Sequence, residues 1–241
     1  MSGTPDIGHE ERHLALVRRL SSEITPSRPL WPVYARLTLW MLIEISILAW
    51  VISHTTNDFV ARLTHPAYAI QIVFFATAAI MCAALALESA IPGRPLSAKV
   101  ATMATALVLT GTALLVMAQP MATSDSLGDF ARNGWRCAIG TMLFGTLPWL
   151  ALWWLVKRGV SMNGWLSGLL AGAGALLFSF AVMRIVCPVD EPLHLLTWHL
   201  LPALAVITLS TLAGAKWLRF RPRRHNRAPH PSGSTMLRDC L

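Results

Sequence analysis

Charge is what this chain has least of. Asp, Glu, Lys and Arg together make up only 13% of its 241 residues against 54% apolar ones, a balance that a water-soluble domain of this length does not sustain. Catalytic signatures are missing too. The sequence contains no Gly-x-Ser-x-Gly elbow, no His-Glu-x-x-His pair and no phosphate-binding glycine loop, which leaves hydrolase and nucleotide chemistry without a foothold. Its four cysteines include no Cys-x-x-Cys pair of the kind that disulfide-generating membrane enzymes use. The loops at 88–99 and 157–164 are too short to hold a domain. An enzyme is not expected, and neither is a resident cofactor.

What the chain does have is apolar length. Runs of about 20 residues, each long enough to cross roughly 30 Å of hydrocarbon as a helix, occupy 33–53, 67–87, 100–118, 138–156, 165–185 and 195–218. The expected fold is therefore an all-α integral membrane protein with six transmembrane helices in one bundle. Basic residues orient it, because Lys and Arg flanks resist translocation. With both termini inside, 15 of the 20 Lys and Arg fall on the cytoplasmic side, four (Arg62, Arg132, Arg136, Arg184) fall outside, and Arg36 sits at the inner edge of the first span. An N-in, C-in topology follows. The formal charge of +8 is then a topology signal with some attraction to anionic lipid, and direct nucleic-acid binding need not be invoked.

Three segments result. Residues 1–32 form a cytoplasmic N-terminal segment rather than a signal peptide, since they lack a continuous apolar core. Within it, Leu14, Val17, Leu20 and Ile24 recur at spacings of three and four and predict an amphipathic helix over 9–24. Residues 33–218 form the membrane domain. Residues 219–241, rich in Arg, Pro, His and Ser, read as a basic, disordered cytoplasmic tail.

Inside the membrane domain, Gly164, Gly168 and Gly172 recur every four residues and make a smooth stripe for a neighbouring helix. Pro148 and Pro202 predict kinks in the fourth and sixth spans. Glu44, near the middle of the first span, carries a penalty of about 2.5 to 3.5 kcal/mol there and should be protonated, paired or turned into the bundle. It would suit a small transporter or channel, the competing functional class, alongside a structural subunit of a membrane complex. Arg184 is placed to snorkel to the headgroups, and its closeness to Cys187 could lower that thiol's pKa. Cys82 reads as a small packing residue.

The chemistry gathers on the outer face. Cys137 precedes the fourth span and Cys187 follows the fifth, so both lie on one side of the bilayer, with His194 and His199 in the stretch after Cys187 and His54 and His65 flanking the first outer loop. Three readings of the thiols stay open: a disulfide pinning two spans, a redox sensor, and a soft-metal site completed by a His or carboxylate from 190–199.

The order and spacing of several motifs resemble the NrsF family, the negative regulators of sigma F, which are six-span membrane anti-sigma factors. The residues that carry the resemblance are the amphipathic helix with Arg28-Pro29-Leu30, the Pro92-Gly93 turn, Trp135-Arg136-Cys137, the Gly164 to Gly174 run, Cys187-Pro188 with His194 and Trp198, and Lys216-Trp217-Leu218-Arg219. It spans roughly residues 9–221. The resemblance implies a protein that holds an extracytoplasmic-function (ECF) sigma factor at the bacterial inner membrane and releases it when envelope stress, such as heavy metal or oxidant, reaches Cys137 and Cys187. Auxiliary sensing or metal roles would fall to His194, His199 and Arg184, sigma binding to Leu14, Val17, Leu20 and Ile24, and any heavy-metal binding would be transient.

Overall fold

The computed structural model describes residues 7–22, 30–54, 59–93, 97–117, 127–187, 189 and 191–218. It divides into two compact units, Met1–Trp31 and Pro32–Leu241. In the first, α1 (Ile7–Ser22) covers most of the helix expected over 9–24. Ser21 and Ser22 turn their hydroxyls back to the carbonyls of Arg18 and Arg19, at 2.9 and 2.8 Å, the local bonding by which serine competes with helix propagation. Leu14, Leu16 and Val17 are exposed. Ile24 and the side chain of Leu20 lie outside the described residues.

The second unit is helical throughout its described length, apart from turns and connecting segments. Its elements are α2 (Val33–His54), α3 (Phe59–Leu63), α4 (Pro66–Glu88), α5 (Ala98–Met117), α6 (Leu127–Lys157), α7 (Gly164–Val186), α8 (Pro192–Leu195), a π-helical turn (Leu196–Leu200) and α9 (Leu201–Trp217). Five stretches are long and apolar enough to cross a membrane: Val33–His54, Pro66–Glu88, Phe130–Lys157, Gly164–Val186 and Pro192–Trp217. The predicted spans at 33–53, 67–87 and 165–185 match α2, α4 and α7 to within one residue at each end.

Burial singles out α7 as the central helix, with 89% of its apolar window inside the protein against 22% for α2 and for the last span. It packs on α4, α6 and α9. Small residues make this possible. A Cβ on Gly168 would fall on the Ser210 carbonyl of α9, and one on Gly214 would fall on the Gly164 carbonyl, so the two backbones touch, as small-residue stripes allow in lipid. Ser210 adds a hydrogen bond from its hydroxyl to the Gly168 carbonyl at 2.6 Å and accepts one from Trp149 Nε1 at 2.9 Å. Cys82 lines an apolar cavity of about 70 Å³ with Val108, Leu177 and Phe180, in keeping with a packing role.

Two sequence expectations need correction and a third is refined. Helix α6 starts at Leu127, eleven residues before the apolar run at 138, so Cys137 stands within the helix rather than before it. The polar stretch ahead of the run still repeats Phe130, Gly134, Cys137 and Thr141 at helical spacing, and an apolar run marks hydrocarbon depth rather than the helix end. Pro202, expected to kink the sixth span, does lie inside the continuous helical run Pro192–Trp217; a proline ring would strike the Trp198 carbonyl of a regular α-helix, and the π turn just before it is where the helix widens. Arg184 is 1% exposed and does not snorkel, because α7 presents no face to lipid at that level. Its guanidinium lies 5.3 Å from the Tyr68 ring centroid, and Tyr68 Oη donates to its backbone carbonyl at 2.7 Å.

Helix α2 turns Arg36, Trp40 and Glu44 inward on one face. Trp40 Nε1 donates to the Pro148 carbonyl at 3.2 Å and Arg36 Nη2 to the Leu87 carbonyl at 3.3 Å. Glu44 is buried with both carboxyl oxygens unpartnered among the described residues. These contacts, with Gly214 against Gly164, define a near end of the bundle holding Val33, Glu88, Gly164 and Trp217. Cys137 and Cys187 mark the far end.

Candidate functional site: a thiol and imidazole cluster

Two helix ends and one irregular turn build the far end. Cys187 caps α7: its N–H still bonds the Met183 carbonyl at 2.7 Å, but its own backbone is extended, at φ −83° and ψ 120°. Pro188 explains the stop, since the residue before a proline is pushed out of the α region. On α6, Cys137 sits one turn ahead of Thr141, whose hydroxyl donates to the Cys137 carbonyl at 2.9 Å. The chain then returns through Pro192, which occupies the first turn of α8, where its missing N–H costs nothing. His194 lies in α8 and His199 in the π turn.

These elements bring four side chains together. Cys137 Sγ and Cys187 Sγ are 3.5 Å apart, and His194 Nε2 is 3.5 Å from Cys187 Sγ. With His199, their potential ligand atoms all lie within 4.8 Å of one another. The two imidazole centroids are 5.4 Å apart. Cys187, His194 and His199 are buried, and Cys137 is partly exposed. Aromatic rings wall the cluster: Phe130 stands edge-on to His194, and Phe180 edge-on to His199. Gly134 is required beside it, since a Cβ there would land on the Trp198 indole.

The thiol of Cys187 is held below its ordinary range, first by the hydrogen bond from Cys137, against the opposing effect of burial, with His194 Nε2 at 3.5 Å adding to it. Arg184, expected to do this from nearby in sequence, is not among the groups that do so. A different arginine reaches the site's backbone: Arg62 Nη1 donates to the Cys187 carbonyl at 3.3 Å while its guanidinium lies 4.5 Å from the Tyr68 ring centroid.

Of the sequence candidates, Cys137, Cys187, His194 and His199 converge. His54 and His65 are exposed and stand outside the group, as does Glu191; Asp190 lies outside the described residues. Thr141, Gly134 and Arg62 were not anticipated as members of this neighbourhood. For Thr141 the signal was available, because a hydroxyl four residues after a helical cysteine shares its face.

Chemically the arrangement permits the two active readings of the thiols. A sulfur displacement of about 1.5 Å would bring the pair to bonding distance, given an S–S length near 2.05 Å. Two thiolates beside two imidazoles would equally suit a soft or borderline cation.

A family model described as NrsF, negative regulator of sigma F, matches residues 20–220. Neither the curated proteins nor the solved structures yield a match.

Proposed function

The chain belongs to the NrsF family, the negative regulators of sigma F, and from that premise we propose that it is an inner-membrane anti-sigma factor that sequesters an ECF sigma factor and releases it when heavy metal or oxidant reaches Cys137 and Cys187. The observation that carries this reading is the 3.5 Å separation of two cysteines fifty residues apart in sequence. Six crossings, with both termini in the cytoplasm and the thiol end facing the periplasm, agree with the distribution of Lys and Arg. The sixth crossing would fall to α5, whose apolar part, Lys99–Ala113, is shorter than the five stretches named above. Leu14 and Val17, exposed on α1, offer an apolar stripe of the kind that docks in a partner's groove.

The proposed mechanism is a bundle with two packings, only one of which lets α1 hold the sigma factor; the state of the thiol pair biases the balance. The test is capture of the sigma factor by the full-length protein. Leu14→Asp with Val17→Asp should abolish capture while the protein still reaches the membrane. Undiminished capture by that variant would refute the assignment of α1.

Glu44 supports a second reading. A buried carboxyl with both oxygens unpartnered suits an ion-translocating path, and Glu44→Gln should then abolish flux in proteoliposomes while cysteine substitutions leave it intact. The cavity near α5 is apolar and not lined by Glu44, which favours the anti-sigma reading.

A further inference from the structure

We propose that Cys137, Cys187, His194 and His199 form one four-ligand site for a closed-shell soft or borderline cation of the zinc, cadmium and copper(I) class, with both histidines as ligands in their own right. This deepens the reading above and rests on it: it names the chemical class of the signal.

Distances are the first argument. Bonds of about 2.3 Å to sulfur and 2.0 to 2.1 Å to imidazole nitrogen make a tetrahedron with sulfur–sulfur and sulfur–nitrogen edges of roughly 3.5 to 3.8 Å. The two edges seen here are both 3.5 Å. No pair of the four potential ligand atoms is separated by more than 4.8 Å, so a cation would need only side-chain adjustment.

The π turn is the second. Two residues five apart on a regular α-helix point about 140° away from each other at 3.6 residues per turn, which would send His199 away from His194. The Leu201 N–H instead bonds the Leu196 carbonyl, an i to i+5 closure that widens the turn, and such bulges recur at functional sites. The result is the 5.4 Å separation of the two rings. The irregularity thus brings the second imidazole back to the first.

Hydrogen bonding fixes the third. Thr141 has one hydroxyl hydrogen, and it goes to the Cys137 carbonyl at 2.9 Å. Its oxygen, 3.3 Å from His199 Nδ1, is then left to accept from that nitrogen. This assigns the proton of His199 to Nδ1 and leaves a bare lone pair on Nε2. That Nε2 is buried with no partner among the described residues, in a residue with no exposed surface. A buried acceptor left without a partner is destabilising, and a cation at the centre of the cluster would remove that cost. Threonine here plays the part that outer hydrogen-bond partners play around metal-bound imidazoles.

Binding involves no change of oxidation state. Each thiol gives up its proton to solvent as the metal–sulfur bond forms, so a divalent ion on two thiolates and two neutral imidazoles leaves the buried site uncharged. The partly exposed Cys137 provides the way in.

The experiment uses the full-length protein, reduced and reconstituted in detergent or nanodiscs, titrated with Zn(II) and separately with Cd(II). The expected result is one ion per chain, with X-ray absorption showing two sulfur and two nitrogen neighbours. His194→Gln and His199→Gln should each weaken binding by at least about 10- to 100-fold, the loss caused by removing even an outer partner. Both variants should still form the Cys137–Cys187 disulfide under oxidant, which shows that the fold and the thiols survive. Wild-type affinity in the histidine variants, a sulfur-only shell, or no binding by the reduced wild-type protein would overturn the four-ligand site while leaving an oxidant-sensing thiol pair in place. Failure of the thiol reading itself shows elsewhere, as a normal metal and oxidant response of Cys137→Ser and Cys187→Ser in a sigma-dependent reporter.

Discussion

The serine cluster at the near end of the bundle and the thiol and imidazole cluster at the far end are built on opposite rules. At the near end, Ser89, Ser161 and Ser167 bond one another, with oxygens 2.7 and 2.6 Å apart, while Ser89 also donates to the Ala86 carbonyl at 2.7 Å. The two loops there are joined by a backbone bond from Val160 N–H to the Ala90 carbonyl at 3.0 Å, and a Cβ on Gly159 would meet that same carbonyl. Within this serine cluster the hydroxyls bond one another and backbones touch, although Arg36 at the same end keeps Nε and Nη1 buried without partners among the described residues. At the far end, His199 Nε2 and Trp198 Nε1 are buried without partners among the described residues, beside two thiols. A saturated polar network rigidifies, whereas an unsatisfied one stores a demand that an incoming ligand or bond can meet. Under the proposed function, clamping falls to the serine cluster and response to the thiol cluster.

The largest effect should come from opening the near-end half of the clamp. Gly168→Leu would drive a branched side chain into the Ser210 carbonyl of a neighbouring helix, and neither backbone can yield. We expect a loss of about 4 kcal/mol or more, in the exceptional range for single substitutions, read as failure to accumulate in the membrane and lost thermal stability in detergent. Accumulation at wild-type level would show that α7 and α9 do not touch as described.

Next in size is the response itself. If the thiol state shifts the balance of two packings by about 1 to 3 kcal/mol, induction of a sigma-dependent reporter spans about 5- to 150-fold. Cys137→Ser and Cys187→Ser should each abolish that range, fixing the reporter either off or on, while detergent stability stays near wild type. A loss of stability matching that of Gly168→Leu would erase the distinction between the ends.

Much of this architecture could be read from the residues alone, for identifiable reasons. Apolar runs locate membrane crossings because hydrocarbon thickness sets their length, and the Gly164, Gly168 and Gly172 stripe pointed to the contact now seen with α9. Cys137 and Cys187 could be placed at one end by parity of crossings. The start of α6 was hidden, because helix ends in polar segments are set by local hydrogen bonding rather than hydropathy. Arg184 was misplaced because snorkelling presumes a lipid-facing helix, and nothing local marked α7 as central. The π turn was also hidden. Pro202 three residues after His199 hinted at an irregularity, but only packing decides whether a helix kinks, caps or widens.

Smaller effects separate the ends more finely. Ser167→Ala removes the hydroxyl that joins Ser89 to Ser161. It should cost about 1 to 3 kcal/mol, the penalty for leaving buried partners unsatisfied, with a lower melting temperature in detergent and an unchanged induction ratio. A changed ratio with unchanged melting would place the responsive element at the near end instead.

The smallest and most specific effect belongs to Thr141. Valine is close to threonine in shape, so Thr141→Val removes the hydroxyl with little change in packing. The Cys137 carbonyl loses only an extra donor, because the helix ladder serves it already. His199 Nδ1 loses its one identified acceptor, and the proton is then no longer fixed on that nitrogen. If orientation of the ring is worth about 1 kcal/mol, the stimulus concentration giving half-maximal induction should rise about fivefold for metal. The response to oxidant, which needs the sulfurs and not the imidazole lone pair, should keep its threshold. An equal shift for both stimuli would mean that Thr141 serves the helix contact between Cys137 and Cys187 rather than the tautomer of His199.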